Sequence, residues 1–254
     1  MNGMKDNKYQ RLGTEIMGYN VFSAETELIE FHDRLLVVDT LNAYSYVMAR
    51  TDPAFRNALQ HADVLLPDGF PVVIAARFLT GKVIKKIAGE DIFYHFCKKL
   101  NQSNGKCFFL GASPATLDRI LAKIRNDFPG IQVSSYSPPF TAQFSAEESQ
   151  QMLHAVRKFS PDVLFVGMTA PKQEKWVEQY KHLIEAKVVC SIGAVFDFYA
   201  GTVKRPSELW IRLNLEWLIR FLNEPKRLWK RYLVYSPLFF LEMIKYKFTS
   251  RHPF

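Results

Sequence analysis

Few of the features that announce a chemistry are present in this chain. Its 254 residues include three cysteines, Cys97, Cys107 and Cys190, which share no short spacing. That excludes a disulfide framework, and the six histidines, in no His-x-x-x-His or Cys/His pattern, offer no zinc site. Cys107 and Cys190 lie inside apolar runs, where buried, reduced thiols are expected. No Gly-x-Gly-x-x-Gly follows an apolar run, so a dinucleotide fingerprint is missing. A Walker lysine loop, a Gly-x-Ser-x-Gly elbow and a His-Glu-x-x-His pair are missing too. The longest uncharged apolar-rich run, residues 232–241, is about half a membrane span. Residues 1–13 are polar and lack the apolar core of a signal peptide, so a cytoplasmic location is expected.

What is there is the composition of a folded protein, 48% hydrophobic and 23% charged. The length suits one main domain with an appendage. Charge marks the boundary. From Lys204 onward there are eleven Lys and Arg against four Glu, while the preceding 203 residues hold 22 basic against 21 acidic side chains. Trp210, Trp217 and Trp229, three of the four tryptophans, fall in the same basic tail. The division is therefore a body, 1–203, and a basic, aromatic-rich helical appendage, 204–254, with an anionic partner expected for the latter.

Short apolar runs rich in β-branched residues recur through the body and alternate with helical patterns. Strands are expected at 16–22, 35–38, 64–66, 106–110, 131–136, 163–166 and 188–192. Helix signals lie between them: Ser23 as a cap for a helix to about His32, a helix from Tyr44, another at Pro53–His61, and others at 71–79 and 90–100. Ser113 with Pro114 opens a helix to Phe128, and Ser145 with Glu148 spells a capping box for one ending near Phe159. After the strand closed by Gly167, Thr169 as N-cap and Pro171 in the first turn introduce a helix to about Ile184. The tail reads as helices over 207–247, interrupted at Pro225 and Pro237. This alternation predicts a Rossmann-like α/β domain with a mainly parallel sheet and helices on both faces.

In such a sheet ligands sit beyond the carboxyl ends of the strands, and helix N-termini there favour anions. The polar residues at those ends are Thr40, Asn42, Asp68, Ser113, Thr169 and Gln173, with Lys172 beside them and Asp197 just beyond Gly193. Asp68, held between Pro67 and Gly69, has two readings, a general base for a substrate hydroxyl or an ordinary turn residue. Thr40 and Asn42 either meet a ligand or cap the helix at Tyr44. Asp197 either accepts hydrogen bonds from a ribose or base or caps a loop.

The ordered series Asp39-Thr40-x-Asn42, Leu66-Pro67-Asp68-Gly69, Gly89-x-Asp91, Gly111-Ala-Ser and Gly167-x-x-x-Pro-Lys-Gln-Glu continues through Gly193-Ala-x-Phe-Asp-x-x-x-Gly201, Lys204-Arg205-Pro206 and Leu215-Glu216-Trp217-x-x-Arg220. It resembles the WecG/TagA/CpsF glycosyltransferases over about residues 15–235. The resemblance implies an inverting enzyme that moves a hexosyl or N-acetylhexosaminyl sugar from a UDP-sugar to a polyprenyl-diphosphate-linked saccharide at the inner membrane face. In that reading Asp68 is the base, with Thr40 beside it in the catalytic set. Asn42, Lys86, Gly111, Gly167, Gln173, Asp197 and the tail's Arg212 and Arg220 hold substrate or nucleotide.

Two positions depart from the family pattern. Lys86-Ile87-Ala88-Gly89 stands where the family has Arg-Val-x-Gly, which keeps the charge and loses the bidentate fork. Asn214-Leu-Glu-Trp replaces Gly-Leu-Glu-Trp. The chain has no Asp-x-Asp, the usual grip on a diphosphate-bound divalent ion, so no metal and no cofactor are expected. Basic residues interleaved with aromatics suit an anionic membrane surface, met peripherally through 204–254. They also suit nucleic acid, against which the near-neutral body and the lack of a binding motif both count. A sensor that binds nucleotide-sugar without turnover shares the same pocket, and a homo-oligomer is left open.

Overall fold

The computed structural model describes residues 8–203, 210 and 216–249. Its centre is a six-stranded sheet in which every pairing is parallel. The strands are β3 (Leu36–Leu41), β4 (Val64–Pro67), β5 (Lys106–Gly111), β6 (Gln132–Tyr136), β7 (Val163–Gly167) and β8 (Val188–Ser191), in the order β4-β3-β8-β7-β5-β6. The connecting helices are α2 (Ala43–Thr51), α3 (Pro53–His61), α4 (Phe70–Thr80), α5 (Gly89–Ser103), α6 (Pro114–Asp127), α7 (Ala146–Phe159), α8 (Lys172–Tyr180) and α9 (Gly193–Tyr199); α1 (Lys8–Arg11) precedes the sheet.

The apolar runs are continuous because both sheet faces are covered, and alternation along each strand feeds two different layers. In β7, Val163 and Phe165 point to one side, where Phe93 and Phe96 of α5 and Ile120 and Ile124 of α6 pack. Leu164 and Val166 point to the other, against Met152 and Val156 of α7 and Val177 of α8. A third cluster joins Leu41 and Leu65 to α2, α3 and α4.

The N-terminal expectation changes. Residues 16–22 are not one strand of the main sheet: β1 (Gly13–Ile16) and β2 (Tyr19–Phe22) form a separate antiparallel hairpin. Met17 and Gly18 both have positive φ, 52° and 84°, the backbone of a two-residue turn that matches strand twist. Ser23 caps no helix. Its hydroxyl donates to the Leu12 carbonyl, 3.0 Å, and ties the hairpin's ends, so only a 3-10 turn, Thr26–Leu28, follows.

The helix after β7 is also shorter than expected, ending at Tyr180 before a 3-10 turn, Lys181–Leu183. Thr169 does not cap it through its side chain; its carbonyl accepts the Lys172 N–H, 2.9 Å, and Pro171, after a cis peptide bond, holds the N-cap position.

The described part of the tail forms α10 (Glu216–Asn223), α11 (Pro225–Trp229), a π-type turn (Lys230–Tyr235) and α12 (Ser236–Thr249). Pro225 starts a helix, as its missing N–H allows. Pro237 interrupts nothing, because it lies in the first turn of α12, where Ser236 N–H already donates to the Arg231 carbonyl in the widened turn. α12 lies on α2 and α4. Phe239 and Met243 complete the third core cluster, and the Phe239 ring meets Tyr46 edge-on at 5.3 Å. Arg50 pairs with Glu242 at the margin of that contact. On the other side of α12, Leu238, Leu241, Ile244 and Phe248 are exposed, continuing from Leu233 in the π-type turn. Among the described residues no helix is long and apolar enough to cross a membrane.

Phe239→Ala is expected to lower the unfolding free energy by about 3–5 kcal/mol, because the cavity opens beneath a helix pinned on both sides. Phe248→Ala, at a ring that is 77% exposed, is expected to change it by less than about 0.5 kcal/mol. Denaturant midpoints of the full chain measure both.

Candidate active site

An open cavity of about 980 Å³ lies beyond the carboxyl ends of the strands. Parallel strands all deliver their loops to this one rim, so residues far apart in sequence converge there. Thr40 is the last residue but one of β3, Asp68 follows β4, Gly111 and Gly167 end β5 and β7, and Gln173 lies in the first turn of α8; all five line the cavity, with Asn42 and Asp197. Lys86 does not line it. The neighbouring Ile87 N–H donates to the Pro67 carbonyl, 3.0 Å, which places Lys86 in the segment beside Asp68. Arg212 and residues 204–206 lie outside the described residues. Arg220 belongs to α10, and its side chain is not described.

Asp68 is fixed by its backbone, whose N–H points to the carbonyls of Leu41, 2.9 Å, and Leu66, 3.0 Å. Its half-buried carboxylate therefore projects from the end of a rigid strand. Asn42 caps α2 and lines the cavity as well. Its Oδ1 accepts the Ser45 N–H at 3.0 Å, and the Ser45 hydroxyl accepts the Asn42 N–H at 2.8 Å, which leaves the Asn42 amide nitrogen outside the cap. Asp197 is tied to the Thr202 hydroxyl, 3.3 Å. Gly111 has φ +120°, and a Cβ there would overlap the Gly167 carbonyl, so two strand ends approach as only glycine permits.

Helix starts face the cavity through Asn42 and Tyr44 of α2, Gly89 of α5, Ser113 and Pro114 of α6, and Lys172 and Gln173 of α8. Their N–H groups and dipoles favour negative charge. Lys172 adds a cation: its Nζ donates to the Thr141 carbonyl, 2.8 Å, and sits 4.5 Å from the Phe144 ring centre. Partial burial lowers its pKa. Among the described residues, no three His, Cys, Asp or Glu side chains gather as a metal-binding group.

Several lining residues were not singled out from the sequence as site residues. The Ser137–Pro138–Pro139–Phe140 loop forms a wall, with Phe140 fully exposed at its edge. Leu228, Lys230, Arg231 and Tyr235 bring the tail to the cavity. The Arg231 guanidinium lies 5.5 Å from the Tyr44 ring centre, and Tyr235 meets Tyr44 edge-on at 5.2 Å. The alternation of Arg with aromatics along the tail was the available signal, and it does not say which arginine reaches the site.

Asp39 and Glu174 are both buried at the floor of the cavity, which Glu174 and Ser191 help to line. Burial raises the pKa of each carboxyl. The Asp39 charge raises Glu174 further, while the Ser191 hydroxyl and the amide of Gln173 offset only part of the rise.

A family model described as "Glycosyl transferase WecG/TagA/CpsF family" matches residues 10–253. A protein of Bacillus spizizenii (strain W23) named N-acetylglucosaminyldiphosphoundecaprenol N-acetyl-beta-D-mannosaminyltransferase is 31% identical over 205 residues, covering 81% of this chain and 77% of that protein. Proteins with the same name in Bacillus subtilis (strain 168) and Staphylococcus aureus (strain MW2) are 32% and 26% identical, covering 78% and 84% of this chain and 75% and 81% of their own lengths.

Asp39 and Glu174 give the fold a signed pH dependence. Because their folded pKa values are raised by burial, their contribution is fully present below the unfolded carboxylate range and is lost as pH rises through the raised values. The unfolding free energy of the wild type minus that of Asp39→Asn is expected to fall from mildly acid to mildly alkaline pH. Denaturant titrations at a series of pH values measure it, and a rising difference contradicts the burial account.

Proposed function

This chain belongs to the WecG/TagA/CpsF family of glycosyltransferases, and from that premise we propose that it transfers an N-acetylmannosamine-type sugar from a UDP-sugar to a polyprenyl-diphosphate-linked N-acetylglucosamine. The names of the Bacillus and Staphylococcus relatives support the sugar and the acceptor. The observation that carries the reading is the cavity at the strand ends, where the carboxylate of Asp68 faces a rim of helix N-termini.

The reaction is a single displacement. The acceptor hydroxyl oxygen forms a bond to the anomeric carbon as the bond from that carbon to the UDP oxygen breaks. UDP leaves with the bonding pair, the hydroxyl proton passes to Asp68, and attack opposite the leaving group inverts the anomeric configuration. Thr40, one strand away, lies beside Leu66 in the β3–β4 register and can hydrogen-bond the acceptor next to Asp68. The charge that develops on UDP is met by preorganised N–H groups of the α6 and α8 starts, with Lys172 and Arg231 at the same rim. Lys86, Arg212 and Arg220 are proposed to add to that set. Gly111 and Gly167 let the diphosphate approach backbone, while Asn42, Gln173 and Asp197 hold the sugar or ribose. This cationic set supports displacement without a metal ion.

The acceptor is a membrane lipid, which supports a peripheral position on the cytoplasmic face. The exposed apolar side of α12, with Lys226 nearby in sequence, is the surface proposed to meet an anionic leaflet.

Asp68→Asn is expected to reduce kcat by about 100-fold or more, with the donor KM within about threefold of wild type, because the amide fills the same space and cannot take a proton. Turnover of a UDP-sugar with a short polyprenyl-diphosphate acceptor measures it; retained kcat removes Asp68 from the role of base.

A further inference from the structure

Where the layer between the sheet and α8 meets the cavity, buried polar atoms gather, and the buried Trp176 ring N–H of the same layer is also without a partner among the described residues. Val38 pairs with Cys190 across β3 and β8, so the next residues, Asp39 and Ser191, lie side by side. Strand alternation aims both at the face shared by Val37 and Val189, the face that α8 covers. Glu174 meets them from α8, two residues before the buried Trp176. Asp39 Oδ1, Glu174 Oε2 and Ser191 Oγ are buried, and none has a hydrogen bond of good geometry. The other charges near this group are Glu178 of α8, which pairs with Lys181 just after that helix and with His61 of α3, and Asp63 before β4, which pairs with Arg34. These cations are engaged by Glu178 and Asp63, and among the described residues neither Asp39 nor Glu174 has an ion pair, so nothing there supports two ionised carboxylates side by side in this buried layer.

One carboxyl of the pair therefore keeps a proton, and two carboxyl oxygens and the Ser191 hydroxyl, which lies close to Asp39, are placed to share it. The cluster connects directly to the site. Glu174 Oε1 accepts from Gln173 Nε2 at 2.8 Å, and Gln173 Oε1 accepts the Met168 N–H at 3.1 Å. The same oxygen lies 2.8 Å from where a Cβ on Gly193 would stand. One amide thus bonds to the loop after β7 and packs against the start of α9. Turned over, it would set its NH₂ against the Met168 N–H and its oxygen against a carboxyl oxygen, so Glu174 decides which way Gln173 faces.

We propose that Asp39, Glu174 and Ser191 form a proton-sharing cluster that holds Gln173, and with it the two loops at the cavity rim, in the geometry needed for glycosyl transfer. Glu174 is then a positioning residue. The role in turnover rests on the transferase reading above; the shared proton does not.

Two measurements test it together: turnover from neutral to alkaline pH, and the infrared band of protonated carboxyl groups in the protein without substrate. Glu174→Gln keeps an acceptor oxygen for Gln173 and offers an N–H toward Asp39, as the protonated acid does. The wild type is expected to lose turnover as pH rises into the alkaline range, and Glu174→Gln is expected to retain kcat near neutrality within about threefold and to lack that fall. Glu174→Ala is expected to lose turnover on the order of 100-fold, since Gln173 is released. In the wild type the carboxyl band should bleach over the pH range in which turnover falls, and in Glu174→Gln it should be missing. The proposal is overturned if the wild type shows no such band. It is also overturned if Glu174→Gln loses as much turnover as Glu174→Ala, or if both keep the wild-type pH profile. A wild type that is inactive toward the substrates yet keeps its band refutes the substrate reading and upholds the cluster.

Discussion

Covering both faces of a parallel sheet leaves its strand ends as the place where polar chemistry meets water. The rest of this structure follows from that constraint. The central strands are largely apolar on both sides, so Thr40, Asp68 and Gln173 meet water at or near the places where strands stop. Every strand stops at the same rim because every pairing is parallel. The helices that return the chain then start at that rim, and their unpaired N–H groups give it a positive potential without any dedicated binding loop. A carboxylate within such a field is well placed to take a proton from a neutral hydroxyl while the field receives the anion that departs.

The C-terminal segment belongs to the same arrangement in two ways. Phe239 and Met243 bury one side of α12 on α2 and α4, a packing contact that anchors the segment. Upstream of that anchor, Arg231 and Tyr235 lie on Tyr44 at the cavity's edge. The exposed apolar residues of α12 are on the side away from the core. A membrane surface that engages them would act on a helix already joined to the site.

Much of the fold was legible in the sequence because local chemistry and tertiary structure agree there. Ser145 with Glu148, and Ser113 with Pro114, open the helices they announce, and the buried strands occur where short apolar runs do, several of them closed by Gly or Pro. The hairpin was not legible, since Met17 is an unusual residue for a positive φ and gives no turn signal. Ser23 and Thr169 carry the right side chains for caps, yet hydrogen bonds to Leu12 and the geometry at Pro171 use those positions otherwise. The site was legible as strand-end residues, and Thr40, Asn42, Asp68, Gly111, Gly167, Gln173 and Asp197 do meet in one cavity. What could not be read was depth. Asp39 and Glu174 are one residue from Thr40 and Gln173 in sequence, and only the pleat and the helix face turn them inward.

The strand-end cavity is proposed to be a nucleotide-sugar site. Calorimetric titration of the full-length protein with UDP in EDTA, with NAD and GMP as comparisons and lipid vesicles present to engage the tail, tests it most directly. Saturable binding of UDP without metal, at least about tenfold tighter than GMP or NAD, is the expected result. Folded protein that binds none of the three, or all three alike, would contradict the claim.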